Sequence, residues 1–211
     1  MNEQLEISVK SARSHPIRSR WHSAFVKGVA PWLAALAFIS PGASAGSSYP
    51  FVPEAFNVPP VLEADTFRLR MLTVNDVIKD YDAVMSSAAH IRSVWPDSGW
   101  PAGLTLEQNL IDLGWHQREF QRRTSFAYTV VSLDESRVVG CVYINPTRKA
   151  GYDAEVFLWT RPPEQVSNIS QTMLKETVTQ WLAEEWPFNA PAFPGIDIPW
   201  TDWAMIAESK R

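Results

Sequence analysis

Downstream of Arg123 the spacing of apolar residues changes from the 3.6-residue period of helices to the two-residue alternation of strands, and this change narrows the choice of fold. Residues 125–133 and 137–145 are rich in β-branched and aromatic side chains and are separated by Asp134-Glu135-Ser136, which predicts a hairpin. A basic turn over 146–151 leads into a third strand, 152–159. Upstream, residues 66–72 alternate as a strand. Val74, Val77, Ile78, Tyr81, Val84 and Met85 then recur at helical intervals behind Thr73 and Asp76, which stand in capping-box spacing. A loop holding Trp95-Pro96, Ser98-Gly99 and Trp100-Pro101 follows. Thr105 and Gln108 open a second helix with the apolar stripe Leu106, Leu110, Leu113 and Phe120. After Pro162-Pro163 a last helix runs from about residue 168 through Met173, Leu174, Val178, Trp181 and Leu182, and Pro187 stops it at Trp186. The tail 188–211 has room for one short strand. The predicted class is α+β (mixed α/β), with a central, mostly antiparallel sheet flanked by helices.

The 211 residues suffice for one domain, and 45% hydrophobic with 20% charged side chains is ordinary for a chain that buries a core. A net charge of −4 lacks the positive field that nucleic acid or an acidic membrane surface demands. The single cysteine, Cys141, excludes an intramolecular disulfide and a cysteine-based zinc site, and mid-strand it reads as a small core residue. His15, His22, His90 and His116 share no ligand spacing, so no metal is expected. Residues 1–45 are basic, with a net +3, and lead through the apolar run 28–39 to Ala43-Ser44-Ala45, the small-residue pattern of a signal-peptidase site. A cleaved export signal and a basic N-terminal extension both fit this segment. Its apolar run of 12 residues is too short to span a bilayer of ~30 Å stably. Residues 46–65, with Pro50, Pro53, Pro59 and Pro60, read as a proline-rich lead-in, and the folded domain is expected over 66–211.

This order of elements, with Gly140-Cys141-Val142-Tyr143-Ile144 as the middle strand, resembles the GNAT N-acetyltransferase superfamily over roughly residues 67–188. In that family the motif Q/R-x-x-G-x-G/A joins the fourth strand to the next helix and wraps the pyrophosphate of acetyl coenzyme A. Gln165-Val166-Ser167-Asn168-Ile169-Ser170 stands in its place here. Gln165 matches the first position, Ile169 the apolar one and Ser170 the small last one; Asn168 replaces glycine. Such a loop needs backbone N–H groups aimed at phosphate at a helix N-terminus, and Asn tolerates left-handed backbone better than most non-glycine residues. As helix caps, Ser167 and Asn168 would be equally ordinary. The resemblance implies acetyl coenzyme A as co-substrate, no metal, a small-molecule or peptide amine as acceptor, and a cytoplasmic site of action, with export the alternative if 1–45 is cleaved. It leaves room for a homodimer. The family commonly adds a helix and a strand pair after its fifth strand, which supply a tyrosine as general acid. Only 23 residues follow Phe188 and none is tyrosine, so a C-terminally shortened fold is expected and the general acid is unassigned.

Acetyl transfer to an amine needs a base, a held thioester, donors for a developing oxyanion and a proton for the leaving thiolate. Asp153, Glu155, Phe157 and Trp159 share one face of the 152–159 strand. The family relays the substrate proton through a Glu near this place, which makes Glu155 the first candidate base and Asp153 the second, with Phe157 and Trp159 able to raise a carboxylate pKa by desolvation. A solvated face paired with Arg148 and Lys149 is the plainer reading. The resemblance assigns the backbone near Phe157 and Trp159 to the oxyanion and the coenzyme. Arg161 suits either phosphate or an ordinary ion pair. Trp95, Trp100 and Trp115, with His116, surround the stretch where the superfamily builds its acceptor wall, and form the candidate substrate-binding set; as covers over a modest core they would need no ligand. Two other functions fit the sequence: a non-catalytic acyl-coenzyme A-binding module, and an exported Trp-rich ligand-binding domain.

Overall fold

Six strands lie across one sheet in the order of the chain in the computed structural model, which describes residues 51–209. They are β1 (Val61–Glu63), β2 (Phe67–Met71), β3 (Phe126–Ser132), β4 (Val138–Asn145), β5 (Ala154–Thr160) and β6 (Pro191–Ala192). The first five are antiparallel neighbours, whereas β6 runs parallel to β5. Helices α1 (Val77–Ser86), α2 (Ala88–Val94) and α3 (Leu106–Arg122) fill the connection from β2 to β3; α4 (Gln171–Glu185) connects β5 to β6, and α5 (Trp200–Met205) lies in the tail. The class is α+β, as the periodicity predicts. The basic, signal-like segment 1–45 lies outside the described residues.

Alternation along the strands sorts side chains to two cores. Tyr128, Val142, Ile144, Val156 and Leu158 pack with Leu174, Val178, Trp181 and Leu182 of α4. On the opposite face Ala127, Cys141 and Trp159 pack with Ala83, Val84, Ile91, Trp95 and Leu113 from the three leading helices. Gly140 is required by close strand approach, since a Cβ there would stand 2.2 Å from the Trp159 carbonyl oxygen.

The proline-rich stretch is a correction to the expected boundary at residue 66. It contributes β1, buries Val52 to 1% exposure, and stacks Phe51 on Phe126 and Phe188. Proline removes a donor and fixes φ, yet it leaves neighbouring side chains free to pack. Two polar groups tie the stretch down: the Tyr128 hydroxyl donates to Pro59 O at 2.7 Å, and Arg123 donates to Pro53 O and Phe56 O at 2.7 Å each. Arg123 ends α3 at φ 60°, a place usually given to glycine, and its two carbonyl contacts account for the exception.

Both predicted capping boxes form. The Asp76 carboxylate accepts from the Thr73 N–H at 3.0 Å, and Thr105 and Gln108 exchange bonds of 2.9 and 3.1 Å. Helix α4 begins later than residue 168, because the Ser170 hydroxyl caps it by accepting the Met173 N–H. The predicted stripe of α3 divides: Leu113 is buried, while Leu106 and Leu110 are exposed. No helix among the described residues is long and apolar enough to cross a membrane.

Candidate active site

The parallel pair β5–β6 is short. Only Ala154 and Glu155 have partners on β6, so no described strand covers that edge of β5 from Val156 onward. The junction is held by Asp153, whose carboxylate accepts the backbone N–H of Asn189 at 2.6 Å and of Ala190 at 3.2 Å. This second candidate base therefore fastens the strand ends. Glu155 follows on the same side of β5, half-buried, in register with Asn145 and Ala192.

The odd-numbered face of β5 meets an aromatic cluster. Phe157 stacks on Trp200 of α5 (6.0 Å between ring centroids, 12° between planes) and takes the edge of Trp95 at 6.3 Å. Tyr143 is the cross-strand partner of Phe157, with Trp95 at 6.5 Å and the His116 ring at 5.2 Å. Trp100 joins through Trp95 at 6.1 Å. Trp200 is fixed by its indole N–H, which donates to Val94 O, and by Gly195 at φ +78°, where a Cβ would stand 2.5 Å from the indole nitrogen. Thus Trp95, Trp100, His116 and Phe157 come together. Trp115 does not join them: it lies on the outer side of α3, 43% exposed under the Arg118 guanidinium. Trp159 is fully buried beneath α1 and α2.

Beyond β5 the chain turns through the loop 161–170, which contains the segment expected to match the family motif. Arg161, 3% exposed, anchors it: Nε donates to Val138 O at 2.7 Å, Nη1 to Ser86 Oγ at 2.7 Å and Gln165 Oε1 at 3.0 Å, and Nη2 to Asp82 at 2.5 Å. The Gln165 side chain is turned inward and donates to Ser86 O at 3.0 Å. His90 and Gln171 make a second link at 3.0 Å. With its base latched to α1 and α2, the loop presents Ser167, Asn168 and Ser170 to solvent and keeps Val166 and Ile169 inside. Asn168 does not use positive φ. The backbone N–H groups of Val166, Ser167, Asn168, Ile169 and Ser170 donate to no acceptor among the described residues. Five such donors at the N-terminus of a 15-residue helix are suited to an anion.

Two groups escaped the sequence reading. Tyr143 shares a strand face with Cys141, and alternation alone would have put its phenol beside the β5 face. Burial raises its pKa well above the usual tyrosine value, so the hydroxyl stays protonated near neutrality. Asp80 of α1, 4% exposed, accepts from Asn109 Nδ2 at 2.9 Å, and burial pushes its pKa up to about 6. Asp112, near His116, is raised for the same reason. A folded-state pKa above the unfolded value means that the native state holds the extra proton, so Asp80 lowers stability as pH rises from about 4 to about 6. Asp80→Asn is expected to stabilise the protein at pH 7 by about 2 kcal/mol and to change little below pH 4. Urea titrations at the two pH values check this. Among the described residues no group of three or more His, Cys, Asp or Glu side chains could hold a metal ion.

No protein-family model matches the sequence, and no curated protein matches it. Among solved structures, the proposed ribosomal-protein-serine acetyltransferase of Vibrio cholerae superposes with a TM-score of 0.51 at 10% identity, over 64% of this chain and 75% of that one. The ribosomal-protein-S5-alanine acetyltransferase of Vibrio fischeri gives 0.46 at 16% identity, over 58% and 67%. The microcin C7 self-immunity acetyltransferase MccE, in complex with acetyl-CoA and AMP, gives 0.45 at 13%, over 57% and 63%. The order of elements around the middle strand β4 and the loop leading into α4 are the features on which the resemblance in sequence rests, and the described residues have a GNAT-like fold.

Proposed function

We propose that the domain binds acetyl coenzyme A along the open edge of β5 and transfers the acetyl group to a small-molecule or peptide amine, in the cytoplasm where that coenzyme is made. The observation that carries this reading is the row of five backbone N–H groups from Val166 to Ser170, without acceptors among the described residues, at the end of a strand whose edge is unpaired from Val156 onward. The N–H row suits a pyrophosphate. The strand edge suits an extended arm bearing amides, which pairs with it as an added strand would. Bound there, the coenzyme supplies an activated acetyl thioester.

The chain's own groups do the rest. Val166 and Ile169, buried, fix the loop so that its amides are presented without reorganisation. Backbone N–H on β5 near Phe157 and Trp159 stabilises the developing oxyanion. Glu155 takes the proton from the acceptor amine, since Asp153 is engaged by two backbone donors. Tyr143, protonated and on the same face, donates to the leaving sulfur as the C–S bond breaks, filling the role left without a tyrosine in the tail. Trp95, Trp100, His116 and Trp200 wall the acceptor side.

Acetyl coenzyme A is expected to raise the melting temperature of the full chain progressively with concentration, because it binds the native state. Ser167→Glu, an exposed change, places a carboxylate against the phosphates and is expected to abolish that rise while leaving the unliganded melting temperature unchanged. An undiminished rise in the variant would move the coenzyme away from this loop.

A further inference from the structure

The outer face of α3 carries a set of residues that complements itself. Glu107, Leu110, Ile111, Gly114, Trp115 and Arg118 recur at the spacing of a single helical face, and all but the half-buried Gly114 are exposed. Leu110, Ile111 and Trp115 retain 43%, 49% and 43% of their surface, on adjacent turns. Large apolar side chains exposed side by side mark an interaction surface more often than single ones do. Leu110 is the one member of the predicted apolar stripe that lies on this face.

Charge and size indicate what covers it. When two copies of α3 pack antiparallel about a two-fold axis between Asp112 and Leu113, Glu107 of each copy meets Arg118 of the other. Leu110 then meets Trp115, and Ile111 lies over the backbone at Gly114, which is half-buried beside Val74 of its own chain. Every member of the set finds its complement within the set, which is the condition for an isologous interface. Parallel packing would instead oppose Glu107 to Glu107 and Arg118 to Arg118. Neither Glu107 nor Arg118 has an ion-pair partner among the described residues. Arg118 already lies over the Trp115 ring at 4.9 Å, so its charge is held beside the apolar centre. His116 turns away to meet Tyr143, which leaves the aromatic cluster of the candidate active site off this face.

We propose that the chain forms a homodimer through antiparallel pairing of α3, with Leu110, Ile111 and Trp115 at the centre and reciprocal Glu107–Arg118 ion pairs at the ends. One helix pair is small beside the ~1,200–2,000 Å² of stable complexes, so association is reversible and weakens with salt. Sedimentation equilibrium of the full chain over a dilution series tests it. The expected mass is that of two chains at high concentration, falling toward one on dilution. Glu107→Arg alone and Arg118→Glu alone should each shift the chain to monomer, and the double reversal should restore the dimer; circular dichroism confirms that each variant is folded. A single-chain mass at every concentration, association that the single reversals leave unchanged, or a double variant that stays monomeric would overturn the proposal.

Discussion

Glu155→Gln is expected to lower turnover by about 10²–10⁴-fold while leaving affinity for acetyl coenzyme A nearly unchanged. The size of the effect follows from how few groups on that face can take a proton. Asp153 accepts two backbone N–H bonds at the β5–β6 junction, and moving its carboxylate would loosen that junction. Tyr143 is held protonated by burial. Glu155 is half-buried, in register with Asn145 and Ala192, and stands two residues from Phe157 on the same face. Glutamine keeps its shape and removes its negative charge, and with it the ability to accept a proton. Single-turnover release of coenzyme A thiol should show the loss. Turnover that survives the change removes Glu155 from the base role.

Arg161→Leu is expected to cost about 3 kcal/mol of stability and to weaken coenzyme binding at least tenfold. The salt bridge itself accounts for little of this, because Asp82 is 69% exposed and rehydrates when released. The cost lies on the buried side, where Val138 O, Ser86 Oγ and the Gln165 side chain all lose a charged donor. Those contacts join β4, α1 and the loop, so their loss also loosens the loop that carries the five unpartnered amides. Arg161→Lys should recover little, since one ammonium cannot reach three partners in different directions. A lowered urea midpoint with an unchanged denaturant slope, beside a calorimetric affinity, measures both parts.

The three central strands were legible to within two residues at each end, because runs of β-branched and aromatic residues bounded by turn residues mark strands of a sheet buried on both faces. Helix α2 was not, since seven residues with no capping side chain carry almost no periodic signal. The lead-in was misjudged because four prolines hide a stretch whose aromatic residues pack into the core. In the candidate site, the face shared by Asp153, Glu155, Phe157 and Trp159 followed from the two-residue period, whereas the pairing of Phe157 with Tyr143 depends on the length and path of the turn between β4 and β5. Trp115 and His116 show the limit of adjacency. Neighbours on a helix point about 100° apart, and one faces Tyr143 while the other faces solvent. Gln165, expected to open the motif, bonds through its side chain to Ser86 and Arg161, and the backbone N–H groups from Val166 to Ser170 have no acceptor among the described residues.

The central claim is that the loop from Val166 to Ser170 and the open edge of β5 form one coenzyme site. Titration calorimetry of the full chain with acetyl coenzyme A tests it most directly, run beside adenosine 3′,5′-bisphosphate and an acetylated pantetheine as the separate halves. The account predicts saturable binding of the whole coenzyme, weaker binding of each half, and loss of the whole coenzyme's affinity in the Ser167→Glu variant. No heat of binding from the whole coenzyme at concentrations of about 1 mM, which corresponds to less than about 4 kcal/mol of binding free energy, would contradict it.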